Sequence, residues 1–162
     1  MGMKQKSETL TIATKGPGFT DVTDQTRRFV RATGIDAGLL TLFIPHTSAS
    51  LLIQENADPD VLSDLGDAFG RFAPRDADYR HTTEGPDDMP AHIRTALTQV
   101  SLSIPIAAGA PVLGIWQAIY LFERRDAPQR RSAAAWCCMS SGSDHSPALA
   151  ASALSECSGR AP

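Results

Sequence analysis

The chain has 162 residues, of which 42% are hydrophobic and 20% charged, as is ordinary for one globular domain and too apolar for a disordered chain. Its 15 Lys and Arg against 18 Asp and Glu give a net charge of −3. Because no basic run occurs either, we expect neither nucleic acid nor a membrane as a partner. Residues 1–14 lack the apolar segment of a secretory signal. Prolines and glycines interrupt the uncharged stretch over residues 95–122, so we predict a cytoplasmic location.

Hydrophobic periodicity, helix caps and turn residues predict five strands and three helices. In chain order these are a strand over 9–14, a helix capped by Asp24 and ending at Arg31, strands over 39–44 and 48–53, a helix from Asp58 to Pro74, a short helix capped by Asp87 or Asp88 and ending near Leu97, and strands over 99–106 and 111–123. Gly16, Pro17 and Gly18 are read as a turn after the first strand. This mixed order indicates an α+β fold with an antiparallel sheet rather than a doubly wound α/β fold.

The second helix has the clearest signals. Asp58 is its expected cap, Pro59 takes the first helical position and Asp60 lies in the first turn. Its apolar residues recur at helical spacing, namely Val61, Leu62, Leu65, Ala68, Phe69 and Phe72. We therefore expect one face of this helix to be apolar.

The composition changes near Arg131. Residues 132–162 contain eight Ser and eight Ala among 31 residues, as well as all three Cys of the chain. Such a composition does not readily form a core. We therefore predict one domain over residues 1–131, followed by an atypical Ser/Ala-rich tail over 132–162 without a terminal strand.

Three of the four histidines lie in polar segments or at the ends of elements. His46 follows an apolar strand, His81 lies in a loop, and His92 lies in the first turns of the third helix. Neutral imidazole is a common ligand for zinc and related metals. The spacings of 35 and 11 residues match no local zinc motif. Three unrelated histidines are therefore the commoner explanation, and a shared site would have to be assembled by the fold.

Carboxylates flank the same segments. Glu55, Asp58, Glu84 and Asp88 could support the histidines or bind a divalent ion. Helix capping explains Asp58 and Asp88 equally well. Asp88 and His92 are four residues apart, so they could face each other on one helix.

Trp116 and Gln117 lie in an otherwise apolar strand. A buried amide needs hydrogen-bond partners, so Gln117 either orients a ligand or satisfies backbone groups. No dinucleotide-binding, P-loop, GxSxG or HExxH motif occurs. Nucleotide-dependent and elbow-type hydrolase functions therefore have no local support.

Taken together, several strings resemble the signature of the YjbQ-like family. They are His46-Thr47-Ser48-Ala49-Ser50, Glu55-Asn56-Ala57-Asp58-Pro59-Asp60-Val61, residues 81–93, residues 101–106, and Gly114-Ile115-Trp116-Gln117, where the family usually has Thr in place of Ile115. The resemblance spans about residues 4–131. It implies an α+β fold of β-sandwich-like antiparallel sheets with two to three helices, and assembly into a homotrimer. It also implies a site for a divalent metal ion, zinc or magnesium, at His46, His81 and His92.

The family is commonly labelled secondary thiamine-phosphate synthase. The resemblance therefore implies weak coupling of hydroxymethylpyrimidine diphosphate to thiazole phosphate, with release of pyrophosphate. Orienting or proton-transfer roles would fall to five residues, Glu55, Asp58, Glu84, Asp88 and Gln117, and Trp116 would stack on an aromatic ring. A metal-dependent phosphate-ester hydrolase and a non-enzymatic metal- or ligand-binding trimer stay open as alternatives.

The family normally ends in a β-strand after the arginine-rich turn. In this chain Arg130 and Arg131 are followed by Ser, Ala and Cys rather than by β-branched residues. We interpret this as the result of a reading-frame shift, which resequencing of the locus would test.

Overall fold

The computed structural model describes residues 3–140. Its elements are β1 (Met3–Ala13), β2 (Gly18–Asp21), α1 (Thr23–Thr33), β3 (Gly38–Phe43), β4 (Ala49–Glu55), α2 (Pro59–Phe72), α3 (Asp88–Ala96), β5 (Ser101–Ala107), β6 (Ala110–Pro111), β7 (Gln117–Glu123) and β8 (Arg130–Ser140).

Two antiparallel sheets form the body of the fold. The larger has the strand order β1-β8-β3-β5-β6, and the smaller has the order β2-β7-β4. Leu40 and Leu42 of β3, Leu51 of β4 and Ile119 of β7 belong to one buried cluster, together with Val30 of α1. Both sheets therefore contribute to one core, and the α+β fold with sandwich-like sheets is confirmed.

The starts of the first two helices follow different chemistry. The Asp58 carboxylate accepts the N–H of Asp60 at 2.9 Å, so the cap predicted for α2 is confirmed. The prediction that Asp24 caps α1 is wrong, because Asp24 lies inside the first turn. The carboxylate of Asp21 instead accepts the N–H of Thr23 at 2.7 Å.

The apolar face of α2 is only partly covered. None of the helix residues is buried, and Phe72 is 69% exposed. Within residues 3–140, no helix combines the length and the hydrophobicity that crossing a membrane would require.

Two strand predictions need correction. The turn assigned to Gly16, Pro17 and Gly18 gives way at Gly18 to β2, which pairs with β7. The strand predicted over 111–123 is broken into β6 and β7, because the chain turns at Gly114, whose N–H is bound by the Gln117 side chain at 2.8 Å. Hydrophobic periodicity does not reveal such a turn, because the segment around it carries no charged residues.

The expectation that no strand follows residue 131 is also wrong. β8 lies between β1 and β3 and pairs with both. Ala133, Ala135 and Cys137 alternate into the core, whereas Trp136 on the other face is 37% exposed. Pairing on both sides stabilises this strand even though its inward residues are small and not β-branched. The predicted boundary therefore falls inside a strand, and residues 141–162 of the predicted tail lie outside the described residues.

The close pairing of β3 with β8 makes Gly38 a sensitive position. A Cβ atom added there would lie 2.2 Å from the carbonyl oxygen of Cys138. We expect Gly38→Ala to lower the free energy of unfolding by about 1–3 kcal/mol, because backbone must shift to relieve the overlap. Urea denaturation would measure the loss. Gly66→Ala is the control, since its Cβ meets nothing within 4 Å, and an equal loss there would contradict the role of β8.

Candidate metal site

Two histidines converge on one carboxylate oxygen. The Nε2 atom of His81 lies 2.8 Å from Asp88 Oδ2, and the Nε2 atom of His92 lies 3.2 Å from the same oxygen. One ligand atom from each residue lies within 4.8 Å of the others. Asp88 is 2% exposed, whereas both imidazoles are partly open to solvent. This group is the His81–Asp88–His92 cluster.

The helix α3 and the loop before it build the cluster. Asp88 and His92 stand one turn apart on α3, in agreement with their predicted contact, and the preceding loop brings His81 to the same carboxylate. His92 Nδ1 lies 3.1 Å from the carbonyl oxygen of Thr47. A carbonyl oxygen only accepts, so Nδ1 carries a proton and donates it. In the neutral ring, Nε2 therefore has a lone pair directed towards the Asp88 carboxylate.

Arg125 holds the other oxygen of Asp88. Its Nη1 pairs with Asp88 Oδ1, its Nε donates to Asp87 Oδ2 at 2.9 Å, and its Nη2 donates to the carbonyl oxygen of Glu84 at 2.9 Å. Burial alone raises the pKa of Asp87, but the N–H of Asp126 and the Arg125 guanidinium outweigh this and lower it. Arg125 therefore fixes the start of α3 and leaves Asp88 Oδ2 facing the two histidines.

A second network lies behind His46. Glu123 is fully buried and accepts two hydrogen bonds from Arg131, at 2.7 and 2.6 Å. Its oxygens also accept the N–H groups of Arg124 and Arg125 and the hydroxyl of Thr14. Burial alone raises the pKa of Glu123, but the hydrogen bonds and charge of Arg131, together with the N–H groups of Arg125 and Arg124, lower it below its ordinary value. Glu123 is therefore a charged anchor for the strand end that carries Arg125.

His46 contacts Ser132, the residue after Arg131, and is not one of the three clustered donors. Its Nε2 lies 3.4 Å from the backbone nitrogen of Ser132. Burial lowers the pKa of His46, and the charge of Arg131 lowers it further against the opposing effect of Glu123. A neutral ring can accept the Ser132 N–H. Its role as a metal ligand stays a prediction, and Asp88 takes the third place beside His81 and His92.

The other predicted site residues divide between the two ends of the smaller sheet. Glu84 lies near the cluster, where its carboxylate is 3.8 Å from Arg125. Glu55 and Gln117 pair with each other at the far end of β4 and β7, opposite the pair of Ala49 and Glu123. Six residues at about 3.4 Å each separate the two ends by about 20 Å.

Structural duties account for two of the distant residues. Asp58, next along the chain from this far end, caps α2, and Gln117 binds the backbone of Gly114. Their predicted catalytic roles, like that of Glu55, stay predictions.

Sequence reasoning missed Arg125, Glu123 and Arg131. For Glu123 and Arg125 the available signal was a run of charged residues over 123–126, where the apolar strand β7 ends. Arg131 lies five residues beyond that run. The partners of Arg125 lie 37 to 41 positions earlier in the chain, so no local motif reveals them.

The fold and the cluster define an α+β protein of two antiparallel sheets with a His–Asp–His group at one end. Residues 8–138 match the model of a family described as UPF0047 protein YjbQ-like. The chain belongs to this family, whose function is not characterised.

Several relatives are similar over most of their length. A UPF0047 protein of Synechocystis sp. is 50% identical over 129 residues, covering 79% of this chain and 88% of the relative. The UPF0047 protein YjbQ of Salmonella typhimurium is 42% identical over 118 residues, covering 72% and 86%.

Solved structures support the same fold. A YjbQ/UPF0047 protein of Clostridium acetobutylicum, described as uncharacterised, has a TM-score of 0.72 and 34% identity, with 82% of this chain and 98% of that chain covered. A protein of unknown function from Sulfolobus solfataricus has a TM-score of 0.79 at 21% identity, covering 86% of this chain and 100% of that one. At this low identity the second likeness concerns the fold alone.

Proposed function

We propose that this protein binds a divalent metal ion at His81, Asp88 and His92 and acts on a small phosphorylated molecule. One observation carries the proposal: the Nε2 atoms of His81 and His92 both lie within 3.2 Å of Asp88 Oδ2, and one ligand atom from each of the three residues lies within 4.8 Å of the others. The bond from His92 Nδ1 to the Thr47 carbonyl supports it. Metal-binding histidines typically donate their other N–H to such a group.

The donor set fits zinc or a similar first-row ion better than magnesium. Two imidazoles and one carboxylate are ordinary zinc ligands, whereas magnesium prefers six oxygen ligands. A set of three protein ligands that leaves coordination positions open is typical of catalytic sites. Partial exposure of both imidazoles leaves room for a small ligand.

The chain's own residues would position the ion and neutralise part of its charge. Asp88 supplies the negative charge, and Arg125 orients this carboxylate through its second oxygen. A bound divalent ion would neutralise the charge of a phosphate or diphosphate group. The reaction that the family resemblance favours is thiamine-phosphate synthesis, and we adopt it as the reaction to test first.

The proposal includes assembly into a homotrimer in the cytoplasm. The partly covered face of α2, with Phe72 69% exposed, supports self-association. Leu97, at the end of α3, is 59% exposed. Apolar surface of this kind is typical of contacts between copies.

Zinc titration by calorimetry is the first test of the proposal. We expect one zinc ion per chain in the wild-type protein, because three donor atoms lie within 4.8 Å of one another.

The second measurement is release of pyrophosphate from hydroxymethylpyrimidine diphosphate in the presence of thiazole phosphate, with and without a chelator. Zinc binding without metal-dependent product formation would reject thiamine-phosphate synthesis but keep the metal site. Absence of zinc binding would reject both. The variant His46→Ala tests whether a third histidine joins the site.

A further inference from the structure

We infer that the groove at the far end of the smaller sheet binds a flat, positively charged nitrogen heterocycle. This site is separate from the His81–Asp88–His92 cluster. No residue of the cluster lines the groove, so the inference rests on the lining of the groove and not on the metal site. The thiamine-phosphate synthesis proposed above also places an aromatic ring on Trp116, and in that one respect the inference deepens the proposed function.

The groove is built on two paired strands. It has a volume of about 380 Å³ and is lined by Ile53, Gln54, Glu55, Ala57, Trp116 and Gln117. Glu55 and Gln117 face each other across the β4–β7 pair. The N–H of Asn56 donates to the carbonyl oxygen of Trp116 at 3.1 Å. Backbone pairing thus holds the indole beside the carboxylate without requiring a ligand to order them.

The lining chemistry favours a cation with a planar ring. Trp116 is 56% exposed, whereas tryptophan side chains are on average largely buried. Its face attracts cations and stacks on aromatic rings. Glu55 supplies a carboxylate, and none of the six lining residues is Lys or Arg. Asp58 and Asp60, at the start of α2, add negative charge next along the chain.

The two amides complete the recognition surface. Gln117 Oε1 accepts the N–H of Gly114 at 2.8 Å, and Gln54 Oε1 accepts the N–H of Glu55 at 3.0 Å. Each amide therefore still has its NH₂ group to offer to a ring nitrogen or a carbonyl oxygen of the ligand. A ligand that carries both an N–H donor for Glu55 and an acceptor for these amides fits the groove.

Fluorescence of a single tryptophan tests this inference. The chain has two Trp, so Trp136→Phe leaves Trp116 as the reporter. The probe is 4-aminopyridine, a planar cation at neutral pH, and the matched control ligand is isonicotinate, which carries a negative charge on the same ring. We expect a saturable change in Trp116 emission with the cation only. Adding Glu55→Gln to this background should weaken binding about tenfold or more, because a charge-assisted hydrogen bond is lost.

The variant His92→Ala, in the same background, should leave the groove affinity unchanged. Calorimetric zinc titration of each variant measures zinc binding independently of ring binding. A loss of ring binding with intact zinc binding, or the reverse, therefore tells the two proposals apart. An unsaturable response, an equal response to isonicotinate, or an unchanged affinity in Glu55→Gln would overturn the inference. The groove would instead be a contact between copies if two results came together. The Trp136→Phe protein would fail to bind the ring, and Trp116→Ala would change the oligomeric state.

Discussion

Replacing Glu123 with Gln should lower the free energy of unfolding by about 3–5 kcal/mol, the cost of breaking a buried ion pair. Glu123 is fully buried and Arg131 is 7% exposed. The substitution keeps the size of the side chain but leaves the Arg131 guanidinium without its counter-charge. Because a domain of this size is stable by about 5–15 kcal/mol, urea denaturation should register a large shift of the midpoint.

The double variant Glu123→Gln/Arg131→Met is the control for this effect. It removes both charges, so that no buried charge is left unpaired, and it should recover part of the lost stability. Should the single variant fail to fold, Arg131→Lys offers a milder change, since lysine retains the charge but loses the paired hydrogen bonds. A loss below about 1 kcal/mol in Glu123→Gln would show that the pair contributes little.

The pH dependence has a defined sign. The folded-state pKa of Glu123 lies below its ordinary value of 4.5, since the Arg131 guanidinium and backbone N–H groups outweigh the effect of burial. The stabilisation is therefore fully present above pH 4.5 and is lost as the pH falls through the folded-state pKa. Acid unfolding of the wild-type protein should accordingly lose more stability below pH 4.5 than that of Glu123→Gln.

Much of the fold could be predicted because its strongest signals are local. Asp58 followed by Pro59 predicts the start of α2, and the structure contains that cap. β8 had no such signal, since its inward positions hold Ala133, Ala135 and Cys137. Its place depends on pairing with β1, more than a hundred residues earlier. Pairing between distant strands is decided by the whole sheet and not by the propensity of the segment.

The candidate site divides in the same way. The contact of Asp88 with His92 follows from a spacing of four on one helix, and it is present. The approach of His81 depends on a loop, and the approach of Arg125 depends on the end of a strand in a different part of the chain. Spacing therefore nominated individual side chains, but the tertiary fold decided that Asp88, rather than His46, lies between the two histidines.

Asp88→Asn should weaken zinc binding at least about 100-fold. Replacing a residue that only hydrogen-bonds to a metal ligand typically costs about 10–100-fold in affinity, so the expected loss is at least as large as the greatest of those losses. The amide removes the negative charge that faces both imidazoles, and Arg125 keeps its hydrogen bonds to Asp87 and Glu84. We therefore expect the variant to fold. Calorimetry with zinc at neutral pH measures the affinity, and wild-type binding should weaken on acidification because protons compete for the imidazoles.

Asp58→Asn is the matched control for this prediction. Both substitutions neutralise a carboxylate at the start of a helix, but Asp58 lies at the far end of the smaller sheet and serves α2 as its cap. Asn is also a good cap, so the control should retain stability and zinc affinity. A similar loss in both variants would point to a general effect of charge. We expect a donor that contacts the ion directly to show the full loss when it is replaced. Unchanged affinity in Asp88→Asn would therefore exclude this carboxylate as a ligand and leave His46 as the candidate third donor.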